Sequence, residues 1–357
     1  MKTSFFKTRV QSSPATLNAV FSLLLLWFFS LIQVPAALAV ENSEWLPGLL
    51  EKEQLTVVVT DSGLGGLSVV ADLSEKLAGQ GGFRQVDLVF VNALFREHGG
   101  YNALQSREEQ LAVFSRALET MAARFDPDLI LIACNTLSVL APDTAFVAGS
   151  GVLVVGIVEA GVEQIAQRLR ADPKARNIMF ATRTTVDEGS HLDGLRRLGI
   201  GQEQFLAQAC PQLTMYIEQG FDAMDTELLI DAYVDEALSM MGEPSGPLTV
   251  SFNCTHFGYS LPLWRLAFES RGVAVDAFLD PNTKMADFLL TDDRQRRYPS
   301  TEVTVKVVSM PPIQPAAIDS IGRWLDGASP ATAAALRHYQ RVEDLFEWRS
   351  LVREPGS

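Results

Sequence analysis

Leu129-Ile130-Leu131-Ile132-Ala133-Cys134-Asn135-Thr136 decides how this chain folds, because its pattern returns at Leu248-Thr249-Val250-Ser251-Phe252-Asn253-Cys254-Thr255-His256. A short run of aliphatic and β-branched residues reads as a buried strand. Each cysteine therefore stands where a strand ends and a loop begins. In open α/β sheets, ligands bind outside the carboxyl ends of the strands. Cys134 with Thr136, and Cys254 with Thr255, are two thiol–hydroxyl pairs offered by two separate strands. A free cysteine usually behaves as a small buried hydrophobe, so packing alone accounts for a single one. The repetition weighs against packing alone, as does the company of Asn135, Thr136, Thr255 and His256: polar residues just after buried strands are poor core material and good site material. Two thiols across one pocket suit taking a proton from one face of a carbon and returning one on the other.

Upstream, Leu55 to Thr60 reads as another buried strand. It runs into Asp61-Ser62-Gly63-Leu64-Gly65-Gly66 and then an amphipathic stretch from Leu67 to Leu77. Strand, glycine-rich turn and helix together resemble a phosphate-binding loop. The third glycine of the dinucleotide fingerprint is not at its spacing, however, and there is no Gly-Lys-Ser/Thr. The glycines instead let backbone N–H groups approach a small anion at a helix N-terminus. Asp61 is placed at the strand end as an acid or base, or as a cap. Further strands are expected at Val86–Val91, Leu153–Val158, Asn177–Ala181, Phe205–Ala207, Ala274–Leu279 and Val303–Val308. Helices are expected at Ser106–Arg124, Gly161–Leu169, Asp225–Met241, Ile318–Leu325 and Ala331–Trp348. This alternation predicts an α/β fold with doubly wound parallel sheets.

The N-terminus carries Lys2, Lys7 and Arg9, then an apolar core from Ala19 to Ile32, then Ala37-Leu38-Ala39. That is the layout of a secretory signal peptide cut after Ala39, giving a periplasmic or secreted protein with no membrane span left after cleavage. The apolar core is short for an uncleaved membrane anchor, the alternative. The chain has a net charge of −14, with 43 acids against 29 bases, which argues against nucleic acid and anionic membrane surfaces as partners. Three cysteines, an odd and widely spaced set, do not make a disulfide framework. There is no Cys-x-x-Cys and the 4 histidines are scattered, so no metal site is expected.

Taken together, Asp61-Ser62-Gly63-Leu64-Gly65-Gly66-Leu67-Ser68, Ala133-Cys134-Asn135-Thr136, Val155-Gly156-Ile157-Val158-Glu159-Ala160-Gly161, Ala181-Thr182 with Thr185-Val186, Ala209-Cys210-Pro211 and Cys254-Thr255-His256 resemble the motifs of glutamate racemases, in the same order. The resemblance covers roughly residues 54 to 290 and points to the cofactor-independent aspartate/glutamate racemase superfamily. It implies two α/β lobes with the active site in the cleft between them. On that reading the chain divides into a first lobe (54–157 plus 264–328), a second lobe (158–263) and a C-terminal helical tail (329–357). Cys134 and Cys254 are implied as the two catalytic bases, Asp61 assisting the first and His256 the second. Ser62, Asn135, Thr136, Thr185 and Thr255 are implied to hold the amino acid's polar groups. No cofactor is called for, the partner is a small-molecule amino acid, and a homodimer is compatible with the reading.

The rim departs from the family pattern. The family's Asp-Thr-Ala-Arg aligns with Asn92-Ala93-Leu94-Phe95, and its Pro-Tyr-Gly, which helps recognise the substrate side chain, with Glu97-His98-Gly99. His98 and Gly99 are the implied side-chain contacts. Glu97 would repel an acidic side chain, whereas a charged His98 would pair with one. Glutamate is therefore the first expected substrate, with an aspartate or broad-specificity racemase as the alternative. An exported amino-acid-binding protein without activity is the non-enzymatic one, which would need neither thiol.

Overall fold

The computed structural model describes residues 44–97, 100–242, 246–290 and 296–353. The expected leader, His98 and Gly99 lie outside the described residues. Among the described residues, ten strands follow in chain order: β1 (Gln54–Asp61), β2 (Gln85–Asn92), β3 (Leu129–Ile132), β4 (Leu153–Gly156), β5 (Arg176–Ala181), β6 (Phe205–Ala209), β7 (Leu248–Asn253), β8 (Ala277–Leu279), β9 (Glu302–Ser309) and β10 (Gln340–Arg341). They form two sheets, a six-stranded one in the order β10-β9-β2-β1-β3-β4 and a four-stranded one in the order β6-β5-β7-β8. Every pairing is parallel.

The central strands are apolar on both faces because helices cover both faces. In β1, Val57 and Val59 pack on the side of Leu73 and Leu77 from helix Leu67–Gln80. Val58 points the other way, towards Val113 and Phe114 of helix Arg107–Phe125. The second sheet repeats the scheme. Ile178 and Phe180 join the first of these cores, while Met179 and Ala181 join the second with Val162 and Ile165 of helix Val158–Ala171. Strand direction along the sheet reverses its progress at one place in each lobe. In the first it is between β1 and β3, and in the second between β5 and β7. Those switch points open a crevice at the strand ends; Cys134 lies two residues past β3 and Cys254 directly follows β7.

Two expectations about the C-terminal half differ from what is seen. β8 adds to the second sheet, so the chain rejoins the first sheet only at Glu302, rather than from residue 264. The stretch expected as one helix from Ala331 to Trp348 is a helix only over Pro330–Arg337. The backbone then extends as β10, because the outer edge of β9 offers unpaired groups: Gln340 and Arg341 align with Val308 and Ser309. The following segment turns back so that Leu345 and Phe346 are buried, and the Trp348 ring lies 5.0 Å from that of Phe95. Among the described residues no helix is long and apolar enough to cross a membrane.

Candidate active site

Cys134 caps the short helix Asn135–Ser138, its carbonyl accepting from Ser138 N at 2.8 Å. Its Sγ lies 3.2 Å from Ser62 Oγ, which comes from the loop after β1. Cys254 follows β7, with its Sγ 3.9 Å from His256 Nδ1, within hydrogen-bond reach for sulfur. The other face of that imidazole is held by Glu218, whose Oε1 is 2.8 Å from His256 Nε2. Glu218 sits on helix Leu213–Gln219. A carboxylate, an imidazole and a thiol thus stand in series on the second lobe.

The loop Asp61–Gly66 joins the two lobes at this point. Thr255 Oγ1 donates to Asp61 Oδ2 at 2.8 Å. Leu64 N donates to Glu218 Oε1 at 2.9 Å. Tyr259 Oη donates to the carbonyls of Leu64 and Gly65, both at 3.0 Å. Glycine is needed here for space: a Cβ on Gly65 would fall 2.1 Å from Thr255 Oγ1 and 2.6 Å from His256 Nδ1. The sequence reading assigned these glycines to an anion at a helix N-terminus. The anion is the protein's own, since the backbone of Gly66, which begins helix Leu67–Gln80, hydrogen-bonds the Asp61 carboxylate.

The two strand ends and this loop enclose a pocket of about 320 Å³, a size suited to a small molecule. Asp61, Ser62, Cys134, Asn135, Thr136, Cys254, Thr255 and His256 all line it. Thr185 does not. It is fully buried and reaches the pocket only through Thr182, whose Oγ1 is 3.0 Å from both Thr185 Oγ1 and Thr136 Oγ1. Thr182 itself is on the wall. The Asn135 amide is 2% exposed, and neither of its polar atoms has a protein partner. A buried amide without partners is expensive to keep, so this one is set up to bind what enters the pocket.

Burial governs the charges. It pushes the Cys134 thiol up to about 12, the Asp61 charge adding to the shift and Ser62 pulling it back. Burial likewise raises Cys254 well above the ordinary thiol range, the backbone at His256 opposing it and the charges of Asp61 and Cys134 reinforcing it. Asp61 is raised by burial, against the pull of His256 and Thr255. Both thiols are therefore held towards the protonated form, and a charge on Cys134 raises Cys254 further. Burial pulls His256 down, but its bond to Glu218 and the charges of Glu218 and Asp61 outweigh that and leave it raised.

No family model matches the chain. It is 26% identical over 219 residues to glutamate racemase 1 of Caldanaerobacter subterraneus subsp. tengcongensis, covering 61% of this chain and 74% of the relative. It is 26% identical over 214 residues to glutamate racemase of Chlorobaculum tepidum, covering 59% and 70%. The fold matches the crystal structure of glutamate racemase from Campylobacter jejuni subsp. jejuni at a TM-score of 0.57 and 21% identity, over 76% of this chain and 98% of that one. It also matches that from Francisella tularensis subsp. tularensis, solved with D-glutamate, at 0.58 and 18%, over 84% and 99%. In sequence and in fold the chain is similar to glutamate racemases. It is an isomerase of the racemase class.

Among the residues on the pocket wall, those that sequence reasoning did not single out lie on helix Leu213–Gln219 and at the rim. Thr214, Met215 and Glu218 line the pocket from the helix. Gly100, Tyr101 and Asn102 line it from the loop after β2, beside Leu94 and Glu97, which the rim alignment had already named. Ala209-Cys210-Pro211 marks the strand end that leads into the helix, and was the one available signal for Glu218. Cys210 itself is buried, and its Sγ turns to the Gln208 carbonyl at 3.8 Å, so it belongs to the core.

Glu218 generates a pH-dependent contact. A histidine raised in the folded state stabilises the fold fully below its unfolded pKa of about 6.5 and loses that contribution as pH rises through the raised value. In Glu218→Gln the imidazole is expected to titrate at lower pH than in the wild type, and the acid-side stabilisation to shrink. An NMR titration of His256 in both proteins checks this. An unchanged midpoint would remove Glu218 as the cause.

Proposed function

We propose that the protein racemises a free α-amino acid by a two-thiol proton relay without a cofactor. The observation that carries this reading is the pair of buried cysteines, one from each sheet, lining one pocket with a partnerless Asn135 amide between the lobes. An α-proton is weakly acidic, so its base must be strong, placed and shielded from water. Two thiols with raised pKa are strong bases once ionised. The incoming α-ammonium supplies the countercharge that lets one of them ionise in a pocket that otherwise keeps both protonated.

Cys134 and Cys254 are assigned to the two faces of Cα. One thiolate takes the α-proton, so that its S–H bond forms as the C–H bond breaks. The other thiol then gives its proton to the opposite face. Direction decides which cysteine plays which part. Asp61 and Ser62 serve the first thiol, and His256 with Glu218 serves the second. The developing enolate needs hydrogen-bond donors, and Asn135, Thr136 and Thr182 are groups on the wall able to supply them. Glutamate, the amino acid named for the relatives, is the first substrate to try. Aspartate or a wider range is the alternative.

Racemisation of glutamate, aspartate and neutral amino acids, followed by chiral chromatography under reductant, tests the relay. Cys134→Ser and Cys254→Ser are each expected to lose at least about 100-fold in kcat, the scale of a positioned general base. Activity retained in either variant would overturn the two-thiol assignment.

Export is part of the same proposal. The basic start, the apolar core to Ile32 and Ala37-Leu38-Ala39 support a mature chain that begins at Val40 outside the cytoplasm. N-terminal sequencing of protein recovered from a fractionated cell is expected to read from Val40 in the exported fraction. Full-length protein in the cytosol would count against it.

A further inference from the structure

One carboxylate on the pocket wall stands apart from the others. The wall includes three, Asp61, Glu97 and Glu218, and, among the described residues, no lysine or arginine. Two of the three are engaged within the protein. Asp61 accepts from Thr255, while Glu218 accepts from Leu64 N and pairs with His256. Glu97 is different. It is exposed at the mouth, and among the described residues it has neither a hydrogen-bond nor an ion-pair partner. Arg96 beside it does not neutralise it: its guanidinium lies over the Phe95 ring, 5.2 Å from the centroid, and its Nη2 points to the Gly100 carbonyl at 3.5 Å. Leu94, Tyr101 and Met215 supply apolar wall in the same pocket. At the inner end the buried Asn135 amide has both polar atoms free of protein partners, which marks where the amino acid's own α-groups are held.

An α-amino acid anchored at Asn135 with its Cα between the thiols sends its side chain along the wall towards Glu97. A methylene stem suits Leu94, Tyr101 and Met215, as the stems of long charged side chains suit apolar surface with the head left in water. A terminal ammonium or guanidinium then meets a carboxylate that has no partner among the described residues. A terminal carboxylate meets the like charge of Glu97, and the histidine described on the wall, His256, is already paired with Glu218.

We propose that Glu97 is a specificity-determining residue that brings amino acids with a cationic side-chain end (the ornithine, lysine and arginine class) into the substrate range and disfavours dicarboxylic ones. This rests on the racemase reading above and narrows it. Attraction for one class and repulsion for the other, each of the size of an exposed ion pair, amount together to roughly a tenfold preference.

The experiment measures kcat/KM for racemisation of L-ornithine, L-lysine and L-glutamate by the wild type, Glu97→Gln and Glu97→Arg at low ionic strength. The quantity read is the ornithine-to-glutamate ratio within each protein, so a loss of folded enzyme cancels. The wild-type ratio is expected to exceed one, to fall roughly tenfold in Glu97→Gln and to fall further in Glu97→Arg. Added salt is expected to compress these differences, since exposed charges are screened. Turnover of glutamate with ornithine and lysine inert in the wild type would overturn the proposal, as would a ratio that neither substitution moves. Absence of turnover on every amino acid in the wild type would instead bring down the racemase reading itself, and this inference with it.

Discussion

The structure depends on one close approach: the loop after β1 meets the loop after β7 with no room to spare. Gly65 lies so near Thr255 and His256 that a single methyl group would collide with both. Because that space is kept, Thr255 reaches Asp61, Tyr259 reaches the carbonyls of Leu64 and Gly65, and Glu218 takes the N–H of Leu64. Each of these bonds crosses from one sheet's lobe to the other. They are formed by the residues that flank the thiols, so the contact that joins the lobes also sets the geometry of the pocket.

The same contact controls the electrostatics. Bringing Asp61, Cys134 and Cys254 together in a place shielded from water raises all three. Burial is the largest cause for each, and their mutual charges add to it for the thiols. Such a site keeps protons on its thiols, and in the proposed relay the substrate's α-ammonium is the added charge that offsets this. His256 is the counterweight. Held by Glu218, it favours its charged form despite burial and places positive charge beside the second thiol and Asp61. A one-thiolate, one-thiol state is what proton exchange between two faces of a carbon requires.

Much of this was legible in the sequence, for local reasons. Strands such as Leu129–Ile132 and Leu248–Asn253 announce themselves by composition, and a polar residue just past such a strand sits at the sheet's ligand-binding edge whatever the rest of the chain does. Cys134, Asn135, Cys254, Thr255 and His256 could be placed on those grounds, and all line the pocket. Glu218 could not, because nothing in its own helix shows that the helix packs beside His256. Thr185 was assigned a contact that belongs to Thr182, a difference that depends on which threonine of the turn faces inward. The expected helix from Ala331 to Trp348 failed past Arg337 because the free edge of β9 competes for that backbone. Local pattern carries no information about such an edge.

The pattern of isotope uptake during the first turnovers in D₂O tests the two-thiol relay most directly. With an L-amino acid as substrate, the relay delivers a solvent deuteron to the product from the opposite thiol, while unreacted substrate keeps its original α-hydrogen. The D-amino acid formed first is therefore expected to carry deuterium almost completely, and the remaining L-amino acid almost none, with the mirror result when the reaction starts from D. A product that retains the substrate's own α-hydrogen would mean that a single base serves both faces, and would contradict the assignment of Cys134 and Cys254.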